Sequence, residues 1–202
     1  MNKFAIFKKS DKFYWSINKI YYCSLFSLLG LGYILEKIFK PIGLFFLYSA
    51  VIGIYLKIKN LFEIEPLRGT LEGNLIFEKE SIIIINKHYP LDDINKIKIS
   101  NDDYTGKLIN YTKGNIGPAL SNGTNNSIVI FLKSKETIQI QFELINSNDF
   151  QKIKPILIEY YLKGKIDFDE LTYVLGEKSS SDIRELKEEI NKIRNTKKTL
   201  AT

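Results

Sequence analysis

The 202-residue sequence has few of the side chains that most often carry chemistry, with one cysteine, one histidine and one tryptophan. Cys23 has no second cysteine with which to form an internal disulfide, and one cysteine with one histidine cannot build a zinc cluster. Walker, G-x-G-x-x-G and G-x-S-x-G motifs are also missing from the sequence. We therefore predict no catalytic residue, no metal site and no cofactor, and we expect a protein that is not an enzyme.

Four features of the sequence are candidate sites: one histidine, two acidic pairs and one loop. His88 stands beside Tyr89 and Pro90, where a solvated loop histidine is the simpler interpretation. The acidic pairs at 92–93 and 102–103 consist of neighbours that point in different directions, as caps and surface groups do. Residues 101–107 form either a functional loop or a tight turn in which Gly106 takes a positive φ, and the sequence leaves both open.

The chain has fewer acidic than basic residues, and its net charge is +6 at pH 7. The excess lies almost wholly in residues 1–65, which carry +5, whereas residues 66–163 carry +1 and residues 164–202 are neutral. A nucleic-acid-binding face would be clustered on the folded domain instead. We therefore expect no nucleic-acid partner.

Two uncharged apolar runs, Ile20–Leu35 and Ile42–Leu56, are separated only by residues 36–41. With their flanks, each approaches the roughly 20 residues that cross a bilayer, although a buried helical hairpin is the alternative. Lysines and aromatic residues at the outer ends favour the membrane interpretation. The sequence thus predicts a transmembrane hairpin in contact with the lipid bilayer. The protein would be multi-pass in the inner membrane with both termini cytoplasmic.

The remainder of the chain has the pattern of strands followed by helices. Alternating or β-branched apolar residues predict strands at 72–78, 81–86, 94–99, 106–112, 127–134 and 136–144. The glycine- and asparagine-rich residues 113–126 predict a loop. A helix is expected from about residue 148 to residue 161, and Pro155 predicts that it starts late or kinks.

The tail has a helical pattern of its own. Asp167 stands three residues before Glu170, as in a capping box, and Gly176 supplies a helix stop. A last helix follows from about residue 179, with a narrow seam of apolar residues that includes Ile183, Leu186, Ile190 and Ile193. The seam fits either the chain's own domain or another chain.

Residues 73–77, 82–85 and 89–97 resemble the pleckstrin-homology-like (PH-like) domains of bacterial membrane proteins. The resemblance implies an α+β chain with a transmembrane helical hairpin in residues 1–65. A small antiparallel PH-like β-barrel closed by a helix would occupy residues 66–163, and a helical tail residues 164–202. Residues 162–171 also resemble a short bacterial oligomerisation hairpin, so a homo-oligomer is a second expectation.

The expected function is that of a non-enzymatic scaffold or protein-binding module, held at the membrane on its cytoplasmic face. The alternative is an accessory or immunity-type protein that neutralises another protein there. The mixed charge of residues 78–80 does not favour an anionic head-group pocket. An extended peptide that adds to a sheet edge is the expected mode of binding, unless the tail covers that edge.

Overall fold

A computed structural model describes residues 3–35, 42–109 and 114–200. The chain divides into two compact units. Unit 1 comprises Met1–Lys9, Gly69–Tyr104 and Gly123–Thr202, and unit 2 comprises Ser10–Arg68 and Thr105–Asn122. Unit 2 is thus built from two insertions into the sequence of unit 1.

Unit 1 is organised around a seven-stranded sheet in which every pair of neighbours is antiparallel. The sheet consists of β1 (Lys3–Lys9), β2 (Gly69–Phe77), β3 (Ser81–Ile84), β4 (Lys87–Pro90), β5 (Ile94–Ser100), β8 (Asn126–Leu132) and β9 (Thr137–Phe142). Across the sheet, the strands follow the order β4-β3-β2-β1-β9-β8-β5.

Strand β1 lies in the middle of this sheet, although it comes from the start of the chain. It pairs with β2 from Lys3 to Lys9 and with β9 at Ile6 and Phe7. Phe4 and Ile6 are buried in the core, between lysines at both ends of the strand. Residues 3–9 therefore join the two halves of the sheet, β4-β3-β2 and β9-β8-β5.

The core lies between one face of the sheet and three helices. These are α3 (Lys154–Leu162), which follows a short 3-10 helix at Asp149–Ile153, α4 (Phe168–Leu175) and α5 (Ser180–Leu200). Tyr160 is fully buried, and its hydroxyl donates to the carbonyl oxygens of Glu78 (2.6 Å) and Ser81 (3.0 Å). Burial raises the pKa of this phenol, so it remains a donor that holds the β2–β3 turn on α3.

The tail packs on the chain's own sheet. Five apolar side chains of α4 and α5 belong to the same core cluster as the strands: Leu171, Val174, Leu175, Leu186 and Ile190. Gly176 ends α4 in the left-handed conformation with φ 71°, as predicted. Asp167 is the N-cap residue, but it makes no side-chain capping bond, and the Glu170 carboxylate accepts from the backbone N–H of Ile99 instead.

Unit 2 contains helices α1 (Ile17–Leu35) and α2 (Ile42–Asn60) and the two-stranded sheet of β6 (Thr105–Leu108) and β7 (Leu120–Asn122). Two asparagines tie residues 115–119 to the helices. The Asn18 side chain accepts from the N–H of Ile116 (2.8 Å), and the Asn60 side chain donates to the Ile116 carbonyl oxygen (2.6 Å). Phe26 on α1 and Tyr48 on α2 are among many exposed apolar side chains of these helices.

The predicted transmembrane hairpin is wrong. Within residues 3–35, 42–109 and 114–200, no helix is both long enough and apolar enough to cross a membrane. The uncharged runs are 16 residues long in α1 (Ile20–Leu35) and 15 residues long in α2 (Ile42–Leu56). Both are shorter than the roughly 20 residues that cross a bilayer. The multi-pass inner-membrane location, and the orientation with cytoplasmic termini, are corrected with it.

The predicted barrel is also wrong, although the α+β class and the antiparallel sheet are confirmed. The sheet ends at β4 on one side and at β5 on the other, and these two strands are not paired with each other. A short 3-10 helix, Leu91–Asp93, links the two edge strands in sequence. A strand pattern predicts how many strands there are, but not which of them pair.

Most of the predicted strands and helices exist, with shifted ends. Five of the six predicted strands correspond closely to β2, β3, β5, β8 and β9, and β6 covers the first part of the sixth. Pro155 lies in the first turn of α3, which confirms the late helix start. Strands β1, β4 and β7 were not predicted.

We expect Phe4→Ala to destabilise unit 1 by about 3–5 kcal/mol, as large-to-small substitutions of buried phenylalanine do. Phe4 is 7% exposed and stacks on Phe150 with ring centroids 5.0 Å apart. Chemical denaturation followed by circular dichroism measures the change. Phe13→Ala is the matched control, because Phe13 is 71% exposed. Equal effects of the two substitutions would contradict the central place of β1 in the core.

Candidate functional site

The structure does not bring the predicted candidates together into a site. His88 is exposed on β4, whereas Asp92 and Asp93 belong to the 3-10 helix that follows. Asp102 accepts from the Tyr173 hydroxyl, and Asp103 is buried and accepts from a backbone N–H. In the part of the chain that the structure describes, no group of three or more metal-ligating side chains occurs. The strand edges of the sheet are the remaining candidates for a binding site.

The tail covers the β5 edge of the sheet. Outward-pointing backbone N–H groups of Ile97 and Ile99 donate to the carbonyl oxygen of Lys165 (2.8 Å) and to the Glu170 carboxylate (2.5 Å). The Lys165 ammonium donates to the carbonyl oxygen of Ile94 (2.6 Å). These bonds satisfy the groups that would otherwise bind an added strand.

The β4 edge is a poor template for another reason. The N–H of Leu91 donates to Glu80 (2.9 Å), which continues the pairing of β4 with β3. Since backbone groups alternate in an antiparallel pair, Tyr89 also faces β3, and His88 and Pro90 face outward. Proline has no N–H, so this short edge offers a single outward donor, that of His88.

A third stretch of strand edge lies inside the sheet, beside the first half of β1. Strand β9 ends at Phe142, and the last bond it directs toward β1 is from the N–H of Glu143 to the carbonyl oxygen of Ala5 (2.8 Å). The N–H of Leu144 points to the other side of the chain and donates to Gly123. Among the described residues, no strand lies beside Lys3 and Phe4 on that side of β1.

A cleft of about 380 Å³ opens at this gap, and we call it the β1 cleft. One wall is the start of β1 with a residue of β2, and the other is the segment that follows β9. The lining residues are Lys3, Phe4, Ala5, Asn74, Glu143, Ile145, Asn146, Asp149, Lys152 and Ile153. Its volume lies at the small end of the range for ligand-binding clefts, which begins at about 300 Å³.

The side chains of the β1 wall form a regular array. Ala5 pairs with Asn74 of β2 and bonds to Glu143, so these three side chains share one face of the sheet. Lys3 lies two residues along β1 on the same face. A bulge in β2 sets this array. Gly73 lies in the bulge with φ 73°, a backbone conformation that favours glycine. A Cβ added to Gly73 would lie 3.0 Å from the Ile85 side chain.

The opposite wall holds a fixed ion pair. Asp149 accepts from the Lys152 ammonium (2.5 Å) and from the N–H of Asn146 (2.9 Å). Burial alone would raise the pKa of the Asp149 carboxyl, but these hydrogen bonds outweigh it and hold the pKa below its ordinary value. Lys3 and Glu143, in contrast, form no ion pair with any residue of the described segments.

Sequence reasoning missed this site, because it depends on the pairing of the first residues with a strand more than a hundred positions away. The local sequence signal is a short run of four apolar residues, 4–7, with lysines on both sides. Comparison with known proteins found no matching family model, no matching curated protein and no matching solved structure.

Substitution Asp149→Asn tests the fixed wall of the cleft. Because the pKa of Asp149 is lowered on folding, its contribution to stability is present above pH 3.8 and is lost as the pH falls through the folded-state value. We expect the variant to be less stable than wild type by about 1 kcal/mol at neutral pH. The difference should shrink in denaturation curves measured well below pH 3.8.

Asp11→Asn is the control, because Asp11 is exposed and forms no ion pair with a described residue. It should leave stability unchanged at both pH values. A gap between wild type and Asp149→Asn that stays constant with pH would show that the carboxylate charge does not stabilise this wall.

Proposed function

We propose that the protein is a non-enzymatic protein-binding module that takes an extended peptide segment in the β1 cleft. The observation that carries this proposal is the gap beside Lys3 and Phe4, where β1 has a neighbour on one side only. Strand edges bind extended peptides through main-chain hydrogen bonds, and the flanking side chains select among them.

The composition of the cleft supports a peptide rather than a strongly charged ligand. Its floor includes Phe4 and Ile153, its walls carry the amides of Asn74 and Asn146, and its charged side chains are two lysines and two acids. A peptide offers the same mixture of an apolar side chain and polar backbone groups. A polyanion would meet two carboxylates in the same cleft.

The distribution of the sheet's edges also supports this location. The tail covers the β5 edge. The β4 edge and the gap beside β1 each offer one outward backbone donor, that of His88 and that of Lys3. The gap is also walled by the side chains of the β1 cleft, so the expected strand addition moves from an outer edge to this gap. The resemblance to PH-like domains, the accessory or immunity-type alternative and the homo-oligomer all stay predictions.

Selection of short random peptides displayed on phage tests the proposal, with the full-length protein immobilised. We expect peptides to be enriched that wild type binds and that Asn74→Trp does not bind, because the indole would fill the cleft. Isothermal titration calorimetry of synthetic copies of the selected peptides would measure the loss as at least about tenfold in affinity.

The matched control is Asn95→Trp, the same exchange in a shallow groove at the β8–β9 turn. This variant should bind the selected peptides as wild type does. The proposal fails if no peptide is enriched, or if the peptides bind both variants as tightly as they bind wild type.

A further inference from the structure

The register of the sheet fixes which side chains of a bound segment would face β1. Glu143 occupies the position opposite Ala5, so among the described residues of β1 an added strand can pair with Phe4 and Lys3. Every described pair in the seven-stranded sheet is antiparallel. An antiparallel segment would place one residue opposite Phe4 and the next residue opposite Lys3.

The residue opposite Phe4 would face an apolar surface. Directly opposed residues in an antiparallel pair project to the same face, and Phe4 projects into the core face, where Ile153 also lines the cleft. Ile145 lies at the rim and is 61% exposed. An apolar side chain at this position would cover Ile145 and exclude water from the floor.

The residue opposite Lys3 would face a cation. Lys3 is exposed and forms no ion pair within the described segments. Opposite charges directly across an antiparallel pair stabilise it, and like charges destabilise it.

We infer that the β1 cleft selects extended segments in which an apolar residue is followed directly by an acidic residue. This inference rests on the proposed function, since it names the class of peptide for the same cleft. The apolar side chain packs against Phe4, Ile145 and Ile153. The acidic side chain pairs with Lys3.

The test repeats the selection with full-length wild type and with Lys3→Glu, and compares the enriched sequences. Wild type should enrich an apolar residue followed by Asp or Glu, and Lys3→Glu should enrich an apolar residue followed by Lys or Arg. Lys133→Glu, the same charge reversal at the β8–β9 groove, is the matched control and should keep the acidic preference. For one selected peptide, replacing its acid by the neutral amide should weaken binding to wild type about two- to fivefold.

The outcomes separate this inference from the function on which it rests. Peptides that bind wild type and lose binding in Asn74→Trp, but show no charge preference beside the apolar residue, would overturn the inference and leave peptide binding in place. An acidic preference that persists in Lys3→Glu would also overturn it. Failure to enrich any peptide would overturn both.

Discussion

The insertion of β1 between β2 and β9 is the interaction on which the rest of unit 1 depends. Without the first nine residues, β2-β3-β4 and β9-β8-β5 would be two three-stranded ribbons with no hydrogen bonds between them. Phe4 brings together Phe77 of β2, Phe142 of β9 and Phe150 of the following 3-10 helix. Each of these side chains covers a large apolar area, so the strand unites the sheet and the core at once.

The same insertion creates the β1 cleft. Strand β9 is needed beside Ile6 and Phe7, where it completes the sheet over the core. It then ends at Phe142, and its pairing with β1 stops at Ala5. The first part of β1 is therefore left with one neighbour, and the outer edges of the sheet are covered by the tail or weakened by Pro90. A sheet whose outer edges are protected thus keeps one short, lined gap for recognition.

The sequence was a good guide to elements and a poor guide to their assembly. Alternation predicted a strand at 136–144, where β9 lies, and Pro155 and Gly176 marked a helix start and a helix end. These signals are local, so they survive in any tertiary context. The place of β1 is a long-range pairing, which no local pattern specifies.

The errors have the same origin. The apolar runs in α1 and α2 approach the length of a membrane span, and no local pattern shows that Asn18 and Asn60 bind the segment around Ile116. The barrel was expected from the resemblance to PH-like domains and from a series of strands followed by a helix, but closure depends on which strands pair. The two carboxylates and two lysines of the cleft lie at positions 3 to 152, and no spacing rule could bring them together.

The most direct measurement of the central place of β1 is hydrogen exchange, followed by mass spectrometry, on the full chain and on a chain that begins at Ser10. Without β1, the backbone amides of β2 and β9 should lose protection, because each strand loses a hydrogen-bonded neighbour. Addition of a synthetic peptide with the sequence of residues 1–9 should restore it. Unchanged protection of β2 and β9 in the shortened chain would contradict the account.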